Sequence, residues 1–275
     1  MQLKAMSPHV GTEITGVQLA SISNEDLAVL RQTLAERGVV ALRDQDLSPE
    51  QHIAFAKRWG GIDVNPFFPT NSGYPEIAEV RKAEKQQSNI GGGWHTDHSF
   101  DQVPAMGSIL VARELPPVGG DTLFASMGAA YDALSDGLKD TLASLRAVHS
   151  ADHIYQPGGY YANSDMAGEM RGQDLSTRAV HPVVIRHPVT GRKLLYVNGA
   201  FTLHFEGWTR EESLPLLQYL YQVASREEYH CRLHWEPGSV AIWDNRSTWH
   251  LAMNDYHGHR RVMHRITLTG EPLAA

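Results

Sequence analysis

The chain has 275 residues, of which 42% are hydrophobic and 20% charged, and its formal net charge at pH 7 is −7. This is the composition of a soluble globular protein, and it excludes collagen, a coiled coil and wholesale disorder. Because the chain is acidic and contains no run of Lys or Arg, we expect no nucleic-acid partner.

Membrane insertion and secretion are not expected either. No apolar stretch approaches the roughly 18 residues that would cross a bilayer, and residues 1–8 lack the apolar core of a secretory signal. The single cysteine, Cys231, excludes an intramolecular disulfide, a thiolate zinc ribbon and an iron–sulfur cluster. We therefore expect a cytoplasmic protein with no membrane partner.

The N-terminal third predicts two helices with a buried strand between them. The first helix begins at the capping residue Ser23 and ends at Gly38. Residues 39–42 follow as a short apolar strand. The second helix has Ser48 as its N-cap and Pro49 at its first position. We expect both helices to pack outside a β core.

From residue 77 onward, short β segments alternate with turn residues. One helix interrupts them; it begins with a capping box at Thr209, and Pro215 is expected to bend or delay it. Many short strands with irregular turns are typical of a jelly roll or a barrel. The predicted strands are 77–80, 107–111, 122–124, 180–187, 193–197, 229–235, 239–243 and 262–268.

Residues 156–177 have the periodicity of neither a helix nor a strand, and they contain four glycines. A segment of this length and composition is typical of a gating lid or of disorder. Because enzymes often close their sites with such loops, we expect a lid around residues 156–177.

Histidine is unusually frequent, with fifteen in the chain, and one of them stands in a metal-binding pattern. In the stretch WHTD, His95 and Asp97 are two residues apart, so an extended strand would project both side chains to one side. Alone, this pattern equally describes a histidine hydrogen-bonded to a turn aspartate. Another histidine, His250, follows a predicted strand and the stretch WDNRSTW.

Two histidines and one carboxylate, with the remaining positions open, form the facial triad of non-haem Fe(II) oxygenases. The open positions allow the metal to hold a bidentate co-substrate and O₂. Zinc favours four protein ligands or three and a water, and calcium favours more oxygen ligands. The set His95, Asp97 and His250 therefore favours iron.

With these motifs, the sequence resembles the TauD/TfdA family, the taurine and aryloxyacetate dioxygenases that use Fe(II) and 2-oxoglutarate. The most specific stretches are WHTD at 94–97, GGDTL at 119–123 and WDNR at 243–246. The resemblance implies a mainly β fold with flanking helices around a double-stranded β-helix (jelly-roll) core. It also implies a single dioxygenase domain over residues 1–275, Fe(II), the co-substrates 2-oxoglutarate and O₂, and a homo-oligomer.

The resemblance also implies roles for individual residues. His95, Asp97 and His250 match the iron ligands at the catalytic centre. Arg261 matches the arginine that binds the distal carboxylate of 2-oxoglutarate, and Thr122 matches the threonine that supports it. An arginine suits this role because its planar guanidinium binds a carboxylate through two hydrogen bonds, which a lysine cannot do.

Arg265 matches the family arginine that holds the anionic head of the primary substrate, and on a strand it shares a face with Arg261. Members that take taurine carry a histidine and a tyrosine where this chain has Asn65 and Phe68, and an asparagine where it has Gly91. The substrate site is therefore expected to be more apolar than a site for an amino-sulfonate.

Further substrate contacts are expected from aromatic walls at Tyr155 and Phe201, although both residues also suit ordinary core positions. His98 has two alternatives. On a regular strand it faces away from the two ligands that precede it, whereas a bend after Asp97 turns it toward the substrate.

Together, these residues imply a dioxygenase that hydroxylates a small anionic organic substrate and produces succinate and CO₂. Organosulfonates, sulfate esters and aryloxyalkanoate carboxylates all suit a guanidinium. One alternative is a cupin-like metal-dependent hydrolase or isomerase that needs no 2-oxoglutarate, and another is a non-catalytic binding jelly roll. Neither alternative explains the ordered series of His-x-Asp, His, Arg and Arg.

Overall fold

The computed structural model describes residues 1–71, 73–167 and 176–275. The strands in these ranges are β1 (Gln2–Ala5), β2 (Thr12–Thr15), β3 (Val39–Leu42), β4 (Ile62–Asp63), β5 (Thr70–Asn71), β6 (Tyr74–Lys82), β7 (Gly107–Glu114), β8 (Thr122–Ser126), β9 (Arg146–Ser150), β10 (Arg178–Pro182), β11 (Val184–Arg186), β12 (Lys193–Leu195), β13 (Thr202–Phe205), β14 (His230–Leu233), β15 (Val240–Asp244), β16 (Thr248–Ala252) and β17 (Arg261–Leu268). The helices in these ranges are α1 (Asn24–Arg37), α2 (Pro49–Lys57), α3 (Met127–Asp132), α4 (Asp136–Ala143), α5 (Asp152–Tyr155) and α6 (Arg210–Ala224). None of these described helices is long and apolar enough to span a membrane.

Two sheets pack face to face and form the predicted jelly-roll core. The larger has the strand order β1-β2-β3-β15-β7-β17-β6-β5, with β4 also paired to β17, and the smaller has the order β14-β8-β16. Their inner faces share one apolar cluster to which both sheets contribute. Its members include Val39, Ala41, Leu110, Ala112, Phe124, Cys231, Leu233, Trp235, Ala241, Trp243 and Met263.

Helices α1 and α2 cover the outer face of the larger sheet, as predicted. In β3, Val39 faces the smaller sheet, whereas Val40 packs against the helices, because successive side chains of a strand point to opposite faces. Helix α1 ends at Gly38, where φ is +71° and an added Cβ would lie 2.5 Å from Cγ2 of Thr248. Glycine is needed here both for the left-handed turn and for the close approach to β16.

Most predicted elements are confirmed, with shifts at their ends. Helix α2 begins with the predicted capping box at Ser48. Pro215 lies inside α6 without ending it. The predicted strand 180–187 is divided in two: β11 forms a hairpin with β12, which lies in the predicted strand 193–197, while β10 pairs with β9.

Part of the predicted lid, 156–177, belongs to the described chain, and residues 168–175 lie outside the described residues. The carboxylate of Asp165 accepts hydrogen bonds from the backbone N–H groups of Gln87 and Ser88. This contact ties the described part of the segment to the chain that leads into the WHTD motif.

Cys231 lies in β14, opposite Phe124 of β8. Burial raises the pKa of its thiol to about 12, so the reactive thiolate is scarce at neutral pH. This cysteine therefore serves as a small apolar residue of the core.

Candidate metal centre and active site

His95, Asp97 and His250 meet beside β16. His95 and His250 form an isolated antiparallel bridge, in which the N–H of each donates to the carbonyl of the other at 3.1 and 2.8 Å. Nε2 of His95 lies 3.6 Å from Oδ1 of Asp97, and Nε2 of His250 lies 3.9 Å from Oδ2. One ligand atom from each residue lies within 4.8 Å of the others. This spacing suits coordination of one divalent ion.

The backbone that brings His95 and Asp97 together differs from the expected extended strand, and that expectation is wrong. His95 makes only a single bridge, and residues 97–100 form a turn. His98 has φ +59°, so the chain reverses immediately after Asp97. Gly91 lies against the imidazole, where an added Cβ would be 3.1 Å from Cε1 of His95. The turn, rather than strand alternation, therefore directs the carboxylate toward the imidazoles.

The hydrogen bonds and surroundings of the three side chains suit metal coordination. Nδ1 of His95 lies 2.8 Å from the carbonyl of Gly93, which can only accept, so Nδ1 carries the proton and Nε2 keeps a free lone pair. Burial, together with nearby His95, lowers the pKa of His250 to about 3, so its ring is neutral. Burial alone would raise the pKa of Asp97, but the Arg265 guanidinium and the adjacent histidines hold it well below its ordinary value. Neutral imidazoles and an ionised carboxylate are the coordinating forms.

A buried guanidinium and a hydroxyl mark the place expected for 2-oxoglutarate. Thr122 lies on β8 two residues from Phe124, which pairs with His250. Arg261 is 5% exposed, and within the described residues its Nε and Nη2 have no hydrogen-bond partner. Gly120 has φ +73°, and an added Cβ there would lie 3.2 Å from Cδ of Arg261. Because buried guanidinium donors without a hydrogen-bond partner are costly, this arrangement fits a carboxylate ligand.

Arg265 stands between the metal ligands and the expected substrate site. Its Nη1 lies 3.4 Å from both carboxylate oxygens of Asp97, and its Cζ lies 4.7 Å from the centroid of the Phe68 ring. Its Nε is buried and, among the residues described, has no partner. The guanidinium is thus loosely paired and keeps donors for an anionic ligand.

Asn65 and His98 lie at the inner end of this site, on the far side of the turn. Nδ1 of His98 lies 2.7 Å from a carboxylate oxygen of Asp101, so it carries the proton, and Nε2 accepts from Nδ2 of Asn65 at 3.0 Å. Oδ1 of Asn65 accepts from the backbone N–H of Phe67 at 2.9 Å. The amide is therefore held in one orientation, with one N–H left over.

A cavity of about 460 Å³ is lined by His95, Asp97 and Arg265. An adjoining small cavity shares Phe68, Asp97, Tyr155, Phe201 and Arg265 with it. The lining of this small cavity brings together all six residues expected to contact substrate, which are Asn65, Phe68, His98, Tyr155, Phe201 and Arg265. The walls are mainly aromatic: Phe67 and Tyr155 stack with their ring centroids 4.4 Å apart. The apolar lining of both cavities consists of Phe67, Phe68, Ile90, Phe100, Ile154, Tyr155, Tyr160, Tyr161, Ala200 and Phe201.

Several residues at the site were not singled out from the sequence, among them Phe100, Tyr161 and Trp235. Phe100 and Tyr161 line the cavity, and no local pattern distinguishes them from core aromatics. Trp235 donates its indole N–H to Oγ1 of Thr122 at 2.9 Å. The sequence did contain an indication for Trp235, because this residue continues the alternation of apolar and polar residues in the predicted strand 229–235.

Comparisons with known proteins agree with this geometry. The chain matches the family described as "Taurine catabolism dioxygenase TauD, TfdA family" over residues 2–267. It is 34% identical to an alkylsulfatase of Acinetobacter baylyi, with 98% of this chain and 86% of the relative covered. It is 33% identical to the (S)-phenoxypropionate/alpha-ketoglutarate-dioxygenase of Sphingobium herbicidovorans, with 95% and 92% covered.

The fold is also that of a solved family structure. A taurine dioxygenase from Burkholderia xenovorans superposes with a TM-score of 0.82 at 34% identity, with 98% of this chain and 89% of that chain covered. The family match, the relatives and the fold all indicate the same enzyme family. The chain therefore belongs to the TauD/TfdA family and is a 2-oxoglutarate-dependent non-haem iron dioxygenase.

Proposed function

We propose that this enzyme hydroxylates a small organic anion that carries an apolar alkyl or aryl tail. The candidates are organosulfonates, sulfate esters and aryloxyalkanoate carboxylates, with 2-oxoglutarate converted to succinate and CO₂. One observation carries the proposal: the buried, loosely paired Arg265 lies beside Asp97 in the lining shared by two adjoining cavities with aromatic walls. A guanidinium selects an anionic head group, and aromatic walls select an apolar tail.

The metal ligands in this proposal are Nε2 of His95, a carboxylate oxygen of Asp97 and Nε2 of His250. Their spacing and protonation states support the assignment. Bound Fe(II), together with 2-oxoglutarate and O₂, supplies the oxidising chemistry of hydroxylation. The protein contributes a fixed ligand geometry, which the His95–His250 bridge holds in place.

The co-substrate is assigned to Arg261 and Thr122. The guanidinium would bind the distal carboxylate, and the hydroxyl would donate to one of its oxygens. The buried, unpartnered Nε and Nη2 atoms of Arg261 support this role. They are buried donors that a dicarboxylate would satisfy.

The head group of the primary substrate is assigned to Arg265, with the remaining N–H of Asn65 as a second donor. His98 holds that amide in place, and Phe68, Tyr155 and Phe201 would contact the tail and exclude water. Asp97 is the only acidic side chain among the described residues that line the cavity. Since Asp97 is reserved for the metal, no carboxylate is left for the ammonium of taurine.

The same proposal takes residues 1–275 as one dioxygenase domain and the segment 156–177 as its lid. Two residues of this segment, Tyr160 and Tyr161, line the cavity, and Asp165 fastens it to Gln87. A homo-oligomer and a cytoplasmic location belong to the proposal as well; they rest on the family resemblance and on the single buried cysteine.

The test is a panel of alkylsulfonates, alkyl sulfate esters, aryloxyalkanoates and taurine, scored by substrate-dependent succinate release. We expect at least one apolar monoanion to stimulate succinate release well above the substrate-free rate, and taurine to give little stimulation. Omitting O₂ or 2-oxoglutarate should abolish product formation. Product formed without either would instead support the hydrolase alternative, and taurine as the best substrate would contradict the assigned head-group site.

A further inference from the structure

Trp235 contacts both side chains that are assigned to 2-oxoglutarate. Its indole N–H donates to Oγ1 of Thr122 at 2.9 Å, and Cζ of Arg261 lies 5.8 Å from its ring centroid. Trp235 is 5% exposed. We propose that Trp235 is a positioning residue, which orients the Thr122 hydroxyl and supports the Arg261 guanidinium for the distal carboxylate. This inference rests on the proposed roles of Thr122 and Arg261.

The hydrogen bond from Trp235 determines what the Thr122 hydroxyl can do. An indole N–H can only donate, whereas a hydroxyl has one proton and two acceptor sites. Because Trp235 occupies an acceptor site of Thr122, the hydroxyl proton must point elsewhere. In the described part of the chain this proton has no acceptor among the hydrogen bonds of Thr122. The hydroxyl is therefore prepared to donate to a carboxylate oxygen.

The ring of Trp235 serves Arg261 in a different way. Arg261 is buried, and its Nε and Nη2 have no partner in the residues described. The nearby Asp121 favours the positive charge of Arg261, but its carboxylate accepts hydrogen bonds from Arg232 and His234 and takes none of the Nε and Nη2 donors. An aromatic face attracts a guanidinium without consuming its N–H donors. Trp235 thus stabilises the positive charge of Arg261 and leaves its N–H donors available for the distal carboxylate.

The end of β14 holds Trp235 rigidly in this position. Leu233 pairs with Thr122 in the register of β14 and β8, and Trp235 follows two residues later in the shared core. On the other side of the chain, Arg232 and His234 both donate to the carboxylate of Asp121, at 2.5 and 2.9 Å. Alternate residues of one segment therefore hold both Asp121 and Thr122 by hydrogen bonds.

The test is a double-mutant cycle of Trp235→Phe and Thr122→Val, read as the dissociation constant of 2-oxoglutarate for the anaerobic Fe(II)-loaded enzyme by calorimetry. Trp235→Phe keeps a ring and removes the N–H. We expect each single variant to bind 2-oxoglutarate about tenfold more weakly, the loss typical of one hydrogen bond to a charged group. In the Thr122→Val background, Trp235→Phe should add less than about twofold, since the two residues act as a unit.

Steady-state kinetics separates positioning from a general structural effect. Trp235→Phe should raise KM for 2-oxoglutarate and leave kcat and KM for the primary substrate nearly unchanged. Trp235→Leu also removes the ring and should weaken 2-oxoglutarate binding further. Trp59→Phe is the matched control: Trp59 lies outside the site, and its substitution should not change 2-oxoglutarate binding.

The outcomes distinguish this inference from the proposed function. If Thr122→Val and Arg261→Ala weaken 2-oxoglutarate binding while a folded, iron-binding Trp235→Phe does not, the positioning role is wrong. The positioning role would also be wrong if the two substitutions weakened 2-oxoglutarate binding independently, so that the double variant showed the product of the two single effects. If Thr122→Val and Arg261→Ala themselves leave 2-oxoglutarate binding unchanged, the assignment of the co-substrate site is wrong, whatever the result for Trp235→Phe.

Discussion

Two buried aspartate–arginine pairs in this protein differ in how tightly the carboxylate and the guanidinium are hydrogen-bonded. Asp244 and Arg246 form a closed pair: both carboxylate oxygens accept from the guanidinium, at 2.9 and 2.6 Å, and His187 adds a third bond at 3.0 Å. Asp97 and Arg265 form an open pair, in which a single guanidinium nitrogen lies 3.4 Å from both oxygens.

The difference separates a structural pair from a functional one. In the closed pair every strong acceptor of Asp244 is satisfied within the protein, and the pair joins the end of β15 to the turn before β16. In the open pair the Asp97 oxygens face two imidazoles, and Nε of Arg265 has no partner in the described chain. A buried charge pair with loose geometry is poor as a stabilising element. It is well suited to groups that must each bind something else.

The largest expected effect is on the metal. Asp97→Asn removes the anionic ligand, so we expect loss of stoichiometric Fe(II) binding and at least about a 1000-fold loss of substrate-dependent succinate release. Iron content after anaerobic loading and the turnover rate measure the two effects. Asp244→Asn is the control for removing a buried carboxylate; it should still bind one Fe(II), and its failure to do so would erase the distinction between the pairs.

The next effect concerns stability. Arg246→Ala leaves the Asp244 carboxylate buried without its main partner, and we expect a loss of about 3 kcal/mol in the free energy of unfolding. Urea unfolding of the Fe(II)-loaded enzyme under anaerobic conditions measures this change. Arg265→Ala should cost clearly less in the same experiment, because the bound metal still compensates Asp97. Equal losses would contradict the structural role of the closed pair.

Arg265→Ala should instead reduce kcat/KM for the primary substrate by about 100-fold, the usual cost of removing a charge-assisted hydrogen bond to an anion. Binding of Fe(II) and 2-oxoglutarate should stay within about twofold of the unmodified enzyme. Arg265→Lys retains the charge but lacks the planar guanidinium, so only partial recovery is expected. Normal turnover by Arg265→Ala would rule out the assigned substrate anchor.

The smallest effect is the pH dependence of stability between pH 6.5 and 5. The Asp244 carboxyl, which burial alone would make harder to ionise, has its pKa lowered to about 2 by Arg246 and His187, so it stays charged in this range. Burial, with His181 nearby, lowers the pKa of His149 to about 3. The unfolded chain therefore takes up a proton below pH 6.5 that the folded chain does not.

His149 should thus lower the free energy of unfolding by about 1.4 kcal/mol for each pH unit below 6.5, or about 2 kcal/mol at pH 5. His149→Gln should remove this contribution from the pH profile measured by urea unfolding, while the buried His52, whose pKa burial also lowers to about 3, keeps a similar one. His259→Gln removes an exposed histidine and should leave the slope unchanged. An unchanged slope in His149→Gln would mean that other groups cause the acid sensitivity.

The sequence was sufficient for the parts of the site that depend on local patterns. Arg261 and Arg265 were expected on one face of a strand because the period of a strand is two, and both are buried on β17. The helix caps at Ser23 and Ser48 were likewise readable, since capping depends on a few adjacent residues.

Contacts between distant segments could not be read from the sequence. The left-handed conformation of His98 brings it between Asn65 and Asp101, and no local pattern predicts a non-glycine residue in that region. Phe100 and Tyr161 likewise become cavity walls only through tertiary packing. The three residues proposed as metal ligands lie together although the expected strand was wrong, because their identities carried more information than their backbone.

Because Cys231 is buried, the reactivity of its thiol reports local unfolding of the protein. A thiol reagent can reach the buried sulfur only when the elements packed around it move, namely β8 on one side and the N-terminal segment at Gly11 on the other. Labelling kinetics in an otherwise unmodified enzyme would therefore time local opening of the structure around β14. The same inaccessibility protects an oxygen-handling catalyst from sulfenate formation at its only thiol.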